Sequence, residues 1–323
     1  MLAGCRGDDG TGRLADGTPV VLISIDTLRS DRLPAYGYGA VDTPAIDALR
    51  RDGILYERAY TPAPLTLPAH VSLLTGLLPP AHGVRDNLGY TVNGGRTPML
   101  QQRLAERGYA TGAAISAFVL RGATGIGEGF GFYDDELEVA AGRGLQAIQR
   151  AGPATLERVR PWLRSAAGGP FFLFLHLFEP HSPYQPPEPF ASRYAVAYDG
   201  EVAAADAVVG DLIAELRALG VYDRALIVLL SDHGEGLGEH GEDEHGLFLY
   251  RSTLQVPLIL KLPGAARAGT SVAHPVQLVD LAPTVLEALG LAVDEELPGR
   301  SLLAPAPEPG PVAIFAETVF PRL

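Results

Sequence analysis

Three apolar runs in the sequence end in side chains that can bind a metal ion. Asp26 follows the first run, Asp232 and His233 follow another, and His176 lies near the end of a third. Because the carboxyl ends of parallel strands meet at one edge of an α/β sheet, we expect Asp26, Asp232 and His233 to lie close together. Carboxylate and imidazole groups together suit a divalent ion of borderline hardness. A lone Asp after a strand more often caps a turn, and His176 alone can be an ordinary strand residue.

Thr66 is the candidate nucleophile. Pro68 follows two residues later, and proline favours the first turn of a helix, so Thr66 is expected near a helix N-terminus. Free N–H groups and the helix dipole favour an anion at that position. A hydroxyl that touches both a metal ion and an anion is suited to nucleophilic attack. An ordinary capping threonine is the alternative interpretation.

Three further histidines lie in polar segments. His181 belongs to residues 179–184, directly after the third apolar run, while His240 and His245 belong to a Gly- and Glu-rich loop at residues 234–246. A solvated loop is the simplest interpretation of the last two. Spacing alone therefore does not assign these histidines to a site.

The elements that must position these residues are strands alternating with helices. Apolar runs without polar alternation are typical of strands buried on both faces. Strands are predicted at residues 19–25, 109–115, 171–178, 225–230 and 256–260, and helices at residues 43–53, 98–107, 201–219 and 278–289. Thr43 is predicted to cap the first helix. The pattern predicts an α/β fold, with a mixed, mainly parallel sheet sandwiched by helices.

Composition excludes several other functions. The chain has 323 residues and a formal net charge of −13, which disfavours binding to a nucleic acid backbone. Lys261 is its single lysine, so a P-loop is excluded. Cys5 is its single cysteine, so an internal disulfide and a cysteine-based zinc site are excluded as well. No apolar run reaches the roughly 18 residues of a membrane span.

The two ends of the sequence carry weaker signals. Residues 2–5 resemble a bacterial lipoprotein cleavage box, in which Cys5 would become the lipidated first residue. We therefore expect residues 1–17 to be a leader remnant and tether, with the protein in the periplasm or cell envelope and a lipid anchor as its membrane contact. Residues 18–323 form the predicted catalytic domain. Residues 312–316 look like a new strand near the end, which suggests that a C-terminal part is missing.

In combination, several segments resemble the sulfatase family of the alkaline phosphatase superfamily. They are residues 25–33, 66–76, 178–184, 231–241 and 279–284, with a weaker match at residues 298–302. The resemblance implies an alkaline phosphatase-like fold and one divalent ion, either calcium, manganese or zinc. It implies that Asp26, Asp232, His233 and Thr66 bind this ion. It also implies that Thr66 is the nucleophile and that His181 contacts the substrate.

The sequence departs from the family's pattern at four positions. Sulfatases carry Cys or Ser where Thr66 stands and convert it to formylglycine, a route closed to threonine. His70 replaces an arginine, Thr27 replaces a second aspartate, and His245 falls where a lysine is expected. We predict that His70 and His240 bind substrate and that His245, like His181, takes part in catalysis.

These residues predict a metal-dependent hydrolase of phosphoric or sulfuric esters that acts on a small or glycan-borne anionic ester. Phosphate esters are favoured, because threonine nucleophiles occur in the phosphodiesterases, nucleotide pyrophosphatases and transferases of the superfamily. A transferase of phospho-groups to a glycan or lipid is one alternative. A non-catalytic surface binding protein is another, which loss of Asp26, Asp232 or His233 would favour. All three residues are present.

Overall fold

A computed structural model of the chain describes residues 13–137, 148–305 and 312–320. Cys5 and most of the predicted tether lie outside these residues, so the lipoprotein interpretation stays a prediction. None of the helices within the described ranges is long and apolar enough to cross a bilayer.

Short and medium strands build the centre of the molecule. In the described ranges they are β1 Val20–Ile25, β2 Ile54–Tyr56, β3 Ala59–Tyr60, β4 Ala110–Ala114, β5 Phe132–Asp134, β6 Phe171–Leu177, β7 Leu226–Leu230, β8 Gln255–Val256, β9 Leu258–Lys261, β10 Ser271–Val272 and β11 Val276–Gln277. Eight of them form one sheet in the order β10-β2-β9-β7-β1-β6-β4-β5. Strand β9 is antiparallel to β2 and β7, and the other neighbours in this sheet are parallel. The predicted mixed, mainly parallel sheet is confirmed.

Helices cover both faces of this sheet. They are α1 Pro44–Asp52, α2 Thr66–Thr75, α3 Pro79–His82, α4 Leu100–Ala105, α5 Gly152–Ala166, α6 Phe190–Arg193, α7 Ala197–Ala218, α8 Arg251–Leu254 and α9 Leu281–Ala288. Successive residues of β1 point to opposite faces, as the two-residue period of a strand requires. Val20 and Leu22 pack into a core with α2 and α9, whereas Val21 and Ile23 pack into a second core with α1, α5 and α7. This sandwich buries every residue of β1.

The predicted strand at residues 256–260 is two strands. Pro257 separates β8, which pairs with β3 in a small three-stranded sheet, from β9, which pairs with β7 and β2 in the large one. Proline has no N–H group to donate to a strand ladder, so a break at this residue is expected physically. The prediction of one strand was wrong.

Two other predictions of local structure were also wrong. Residues 312–316 form no strand: Phe315 N–H donates instead to the Gln277 side chain, 3.0 Å away. Thr43 does not cap α1, because its hydroxyl lies 3.4 Å from the Asp47 carboxylate. The carboxylate of Asp206 on α7 accepts the N–H groups of Ala45 and Ile46, at 3.2 and 2.8 Å, and caps α1 from outside the helix.

Candidate active site

Three adjacent strands place the predicted metal ligands at one edge of the sheet. Strand β1 lies between β6 and β7, and Ser24 is level with His176 on one side and Leu230 on the other. Asp26 is the first residue after β1. Asp232 is the second residue after β7, directly after Ser231. The parallel direction of these strands therefore brings their carboxyl ends, and the polar residues that follow them, to the same place.

Oxygen atoms of three other residues lie close to His233 Nε2. It lies 3.6 Å from Asp26 Oδ1, 3.4 Å from Asp232 Oδ2 and 3.3 Å from Thr66 Oγ1. Asp26, Asp232 and His233 are all buried, and their ligand atoms lie within 4.8 Å of one another. The structure thus brings together the four residues that the sequence predicted as metal ligands.

The chemistry of these atoms fits a cation. His233 Nδ1 lies 3.0 Å from the Gly234 carbonyl oxygen, to which it can only donate, so neutral His233 carries its lone pair on Nε2. That lone pair faces Asp26 Oδ1 and Asp232 Oδ2, two buried acceptors that have no hydrogen-bond partner in the described part of the chain. Buried acceptors that face one another without a donor are costly unless a cation joins them. Two carboxylates and an imidazole suit a divalent ion of borderline hardness.

The two carboxylates titrate as a pair. Burial opposes ionisation of Asp26, but the nearby imidazoles of His176, His181 and His233 outweigh it and lower the Asp26 pKa. Burial raises the pKa of Asp232, and the charge of Asp26 raises it further. Two carboxylates that share so small a space compete for ionisation, and a bound divalent ion would relieve this competition.

Thr66 is the first residue of α2, and few backbone donors remain around it. Leu67 N–H donates to Asn87 Oδ1 at 2.8 Å, and Pro68 has no N–H group. Within the described residues, the Thr66 N–H group is therefore the donor in the first turn of α2 that remains to bind an anion. Asn87 was not identified from the sequence, because its role depends on a contact across 20 residues of chain.

His70 does not face a substrate. It is buried, its Nδ1 lies 2.7 Å from the Thr66 carbonyl oxygen, and its Nε2 lies 2.9 Å from Ser24 Oγ. Burial, with the neighbouring His176, lowers the His70 pKa to about 3. The predicted substrate contact is thus not supported, because the contacts with Ser24 and the Thr66 carbonyl group hold the buried His70 ring against β1.

His240 also lies apart from the ligand group. Its exposed ring stacks on Tyr250 with a centroid distance of 3.7 Å, and it borders a separate cavity beside Arg29. The backbone at His240 has a φ of 57°, in the left-handed region. The structure does not bring this predicted substrate contact into the site.

His181 and His245 both reach the ligand group. The His181 ring stacks on Phe178 at 4.4 Å, and its Nδ1 donates to the Ser182 carbonyl oxygen at 2.7 Å. The His245 ring lies 5.1 Å from the His181 ring and 4.2 Å from the His233 ring. Both residues line the cavity that contains Thr66. The structure therefore places the two predicted catalytic histidines where they can contact a substrate.

Glu235 supports His245. Glu235 Oε1 lies 3.4 Å from His245 Nδ1, while Tyr184 donates its hydroxyl to Glu235 Oε2 at 2.9 Å. Burial raises the pKa of Glu235 to about 8 and lowers the His245 pKa well below its ordinary value. The sequence offered Glu235 only as part of a motif, and the two contacts assign it the task of orienting His245.

Thr27 points away from the ligand group. Its hydroxyl donates to the Pro180 carbonyl oxygen at 2.8 Å, and its φ is 54°. A β-branched residue in the left-handed region is strained, and such strain is often found at active sites.

The buried Nε2 atom of His176 lies 3.4 Å from Asp26 Oδ2 and has no hydrogen-bond partner among the described residues.

A sequence model of the sulfatase family matches residues 18–291, well over half of the chain. The chain belongs to the sulfatase family. The prediction made from the sequence segments is confirmed.

Relatives within the sulfatase family are distant. Steryl-sulfatase of Mus musculus is 27% identical over 400 aligned residues, which cover 88% of this chain and 64% of that protein. An arylsulfatase of Clostridium perfringens (strain 13 / Type A) is 22% identical, with 88% of this chain and 77% of that protein covered. Phosphonate monoester hydrolase of Agrobacterium radiobacter has a TM-score of 0.74 at 22% identity, covering 88% of this chain and 76% of that chain. This last likeness shows the shared fold, and the chain spans less than two thirds of the steryl-sulfatase.

We expect this sulfatase-family chain to bind about one divalent ion through Asp26, Asp232 and His233. Replacing Asp232 and His233 together by alanine removes two converging ligands, so metal affinity should fall at least about tenfold, the scale already seen when supporting residues of metal sites are lost. Calorimetric titration and elemental analysis measure the change. His240→Ala is the matched control, because it removes an exposed imidazole outside the group. Undiminished metal occupancy in the double variant would contradict the assignment.

Proposed function

We propose that the protein is a metal-dependent hydrolase of phosphoric or sulfuric esters that uses Thr66 as nucleophile and favours phosphate esters. The observation that supports this function most strongly is the position of Thr66 Oγ1. It lies 3.3 Å from His233 Nε2, beside the unpartnered carboxylate oxygens, and it lines an open cavity. A hydroxyl in that position can touch a bound cation and an ester at the same time.

A divalent ion held by Asp26, Asp232, His233 and Thr66 would favour ionisation of a bound hydroxyl and neutralise charge on the ester oxygens. Thr66 loses its proton to water, and its oxygen forms a bond to phosphorus while the bond to the leaving alcohol breaks. His181 or His245 gives the leaving oxygen a proton. Water then attacks phosphorus, returns a proton to that imidazole and releases Thr66, which regains its own proton. The sum is the hydrolysis of one ester bond by one water.

The preference for phosphate follows from how the covalent intermediate is resolved. A formylglycine hydrate releases sulfate by collapse of its hemiacetal, without attack on sulfur in the second step. A threonine ester has no such route, so water must attack the central phosphorus or sulfur atom. Phosphoryl groups retain more negative charge for a cation to neutralise, which favours them at a site of this kind.

A panel of 4-nitrophenyl esters tests this function. We expect release of 4-nitrophenol from a phosphate ester to exceed release from 4-nitrophenyl sulfate, and chelation of divalent ions to abolish both. When an acceptor alcohol is added, we expect the product still to be free phosphate or a phosphomonoester, and not an ester of the added alcohol. Faster cleavage of the sulfate than of every phosphate ester would contradict the substrate preference. Transfer of the phospho-group to the alcohol would instead indicate the transferase alternative.

We further propose that the natural substrate is a small or glycan-borne anionic ester and that the protein works in the cell envelope. The second proposal is supported by residues 2–5, which resemble a lipoprotein cleavage box. An acyl mass increment on Cys5 of the native protein would support it, and an unmodified N-terminal segment on a cytoplasmic protein would contradict it.

A further inference from the structure

We infer that Ser231 is a positioning residue for the metal ligands. Its hydroxyl group holds the turn after β1, which carries Asp26, against the loop after β7, which carries Asp232 and His233. The inference rests on the proposed metal-dependent function and deepens it. Ser231 lies between β7 and Asp232, and its side chain is fully buried. It is not one of the proposed ligands, so its effect on the ion passes through the residues that it holds.

The Ser231 hydroxyl group makes one hydrogen bond to each of the two segments. It donates its proton to the His233 carbonyl oxygen at 2.6 Å and accepts the Leu28 N–H group at 2.9 Å. A backbone N–H group can only donate and a carbonyl oxygen can only accept, so the direction of both bonds is fixed. Leu28 lies 203 residues away in the sequence, in the same turn as Asp26. One buried oxygen atom therefore joins the two segments that carry the ligands.

Short contacts hold the loop after β7 around Ser231. The His233 N–H group donates to Asp232 Oδ1 at 2.9 Å, while Asp232 Oδ2 lies 3.4 Å from His233 Nε2. His233 Nδ1 donates to the Gly234 carbonyl oxygen at 3.0 Å. The bond from Ser231 adds the His233 carbonyl group to these contacts. Ser231 and the two ligands therefore form one small hydrogen-bonded unit.

The turn after β1 needs contacts from outside to keep its shape. Thr27 has a φ of 54°, which is strained for a β-branched residue, so local preference does not favour this turn. Tyr198 of α7 donates its hydroxyl proton to the Thr27 carbonyl oxygen at 2.8 Å and accepts the Arg29 N–H group at 2.9 Å. These two bonds hold the turn against α7. Its position relative to the loop after β7 depends on other contacts, among them the bond to Ser231.

The Ser231 contact lies closer to the ligands than the other described contacts of this kind. Arg29 also joins the turn to the chain after β7, through the Glu235 carbonyl oxygen at 3.2 Å and the Glu239 carboxylate at 3.0 Å. An ion is bound only when every ligand atom comes within about 2.0–2.6 Å of it, so a small change in separation weakens several metal bonds at once. Loss of the Ser231 hydroxyl would also leave the buried Leu28 N–H group without an acceptor, which favours a shift of the turn.

Ser231→Ala tests the inference by metal binding alone. We expect the dissociation constant of the divalent ion to rise by about tenfold or more, the scale on which loss of supporting residues weakens other metal sites. Calorimetric titration of the metal-stripped full chain with calcium, manganese or zinc, each alone, measures the change. A dissociation constant within about twofold of the wild-type value for every ion would overturn the inference.

Thr284→Val is the matched control. The Thr284 hydroxyl group is also fully buried, donates to the Asp280 carbonyl oxygen at 2.6 Å and accepts the Leu302 N–H group at 2.8 Å. Both variants lose one hydroxyl group and two hydrogen bonds, so the melting temperatures of the metal-free proteins should fall by similar amounts. Thr284→Val should leave metal affinity unchanged, because none of its three residues is a proposed ligand. An equal loss of affinity in both variants would indicate general destabilisation and overturn the inference.

The metal dependence of turnover separates a positioning role from a catalytic one. Since Ser231 acts through the ion, excess metal should recover most of the turnover that Ser231→Ala loses. The metal concentration that gives half the maximal rate should rise by the same factor as the dissociation constant. Turnover that stays low at saturating metal would overturn the positioning role. Weaker metal binding by Ser231→Ala, in a protein whose wild type cleaves no ester, would support the inference and contradict the proposed hydrolase.

Discussion

Replacing Thr66 by alanine is expected to lower the turnover of any ester that the protein hydrolyses by about a thousandfold or more, as removal of a nucleophile does in other enzymes. The physical reason is the position of its hydroxyl, 3.3 Å from His233 Nε2 and at the first residue of α2. No other hydroxyl among the described residues that line the cavity can replace it. Steady-state rates with the best phosphate ester measure the effect.

Two variants at the same position control for shape. Thr66→Val keeps the branched side chain but removes the hydroxyl, so it should be as inactive as Thr66→Ala. Thr66→Ser keeps the hydroxyl and should retain measurable turnover. Circular dichroism should be unchanged in all three, because Thr66 makes no hydrogen bond to the backbone that caps α2; that contact comes from Asn87. Full activity in Thr66→Ala would show that the nucleophile is wrongly assigned.

The fold and the centre of the site could be predicted because their signals are local. Buried strands read as unbroken apolar runs, and the residue that follows such a run lies at a strand end. Strand β1 lies directly beside β7, so Asp26 and Asp232 had to meet once both strands were identified as parallel. Pro68 likewise marks the first turn of α2 within the sequence itself.

The orientations of His70 and His240, which the sequence did not predict, have a different origin. A family position gives the location of a Cα atom, but the direction of a side chain depends on its neighbours. His70 turns to Ser24 and the Thr66 carbonyl group, and His240 turns to Tyr250. Both partners are set by packing that no spacing in the sequence reports.

Contacts between distant segments account for the other missed features. Asp206 caps α1 from α7, 161 residues away from Ala45, and Tyr184 reaches Glu235 across 51 residues. A local capping rule favoured Thr43, because threonine often precedes a helix. Such a rule takes no account of a buried carboxylate on another helix that competes for the same N–H groups.

The surroundings of His181 and His245 indicate which of the two gives a proton to the leaving group. His181 Nδ1 is committed to the Ser182 carbonyl oxygen, which leaves Nε2 as the atom free to meet a substrate at the cavity. His245 is more deeply placed, with a side chain only 8% exposed, and Glu235 lies against its Nδ1. Burial lowers the His245 pKa well below its ordinary value, so the cationic form that donates a proton is disfavoured. We therefore expect His181 to be the acid and His245 to position the reacting group.

Leaving-group dependence distinguishes these two roles. A phosphodiester that releases an alkyl alcohol needs a proton in the transition state, so His181→Asn should lower its kcat/KM by about a hundredfold or more, the usual scale of general acid catalysis. The same variant should lose only a few fold with 4-nitrophenol, which leaves as the anion. His245→Asn is the matched comparison: a positioning residue affects both leaving groups alike. If His181→Asn slows both esters equally while His245→Asn discriminates between them, the roles are reversed and His245 is the acid.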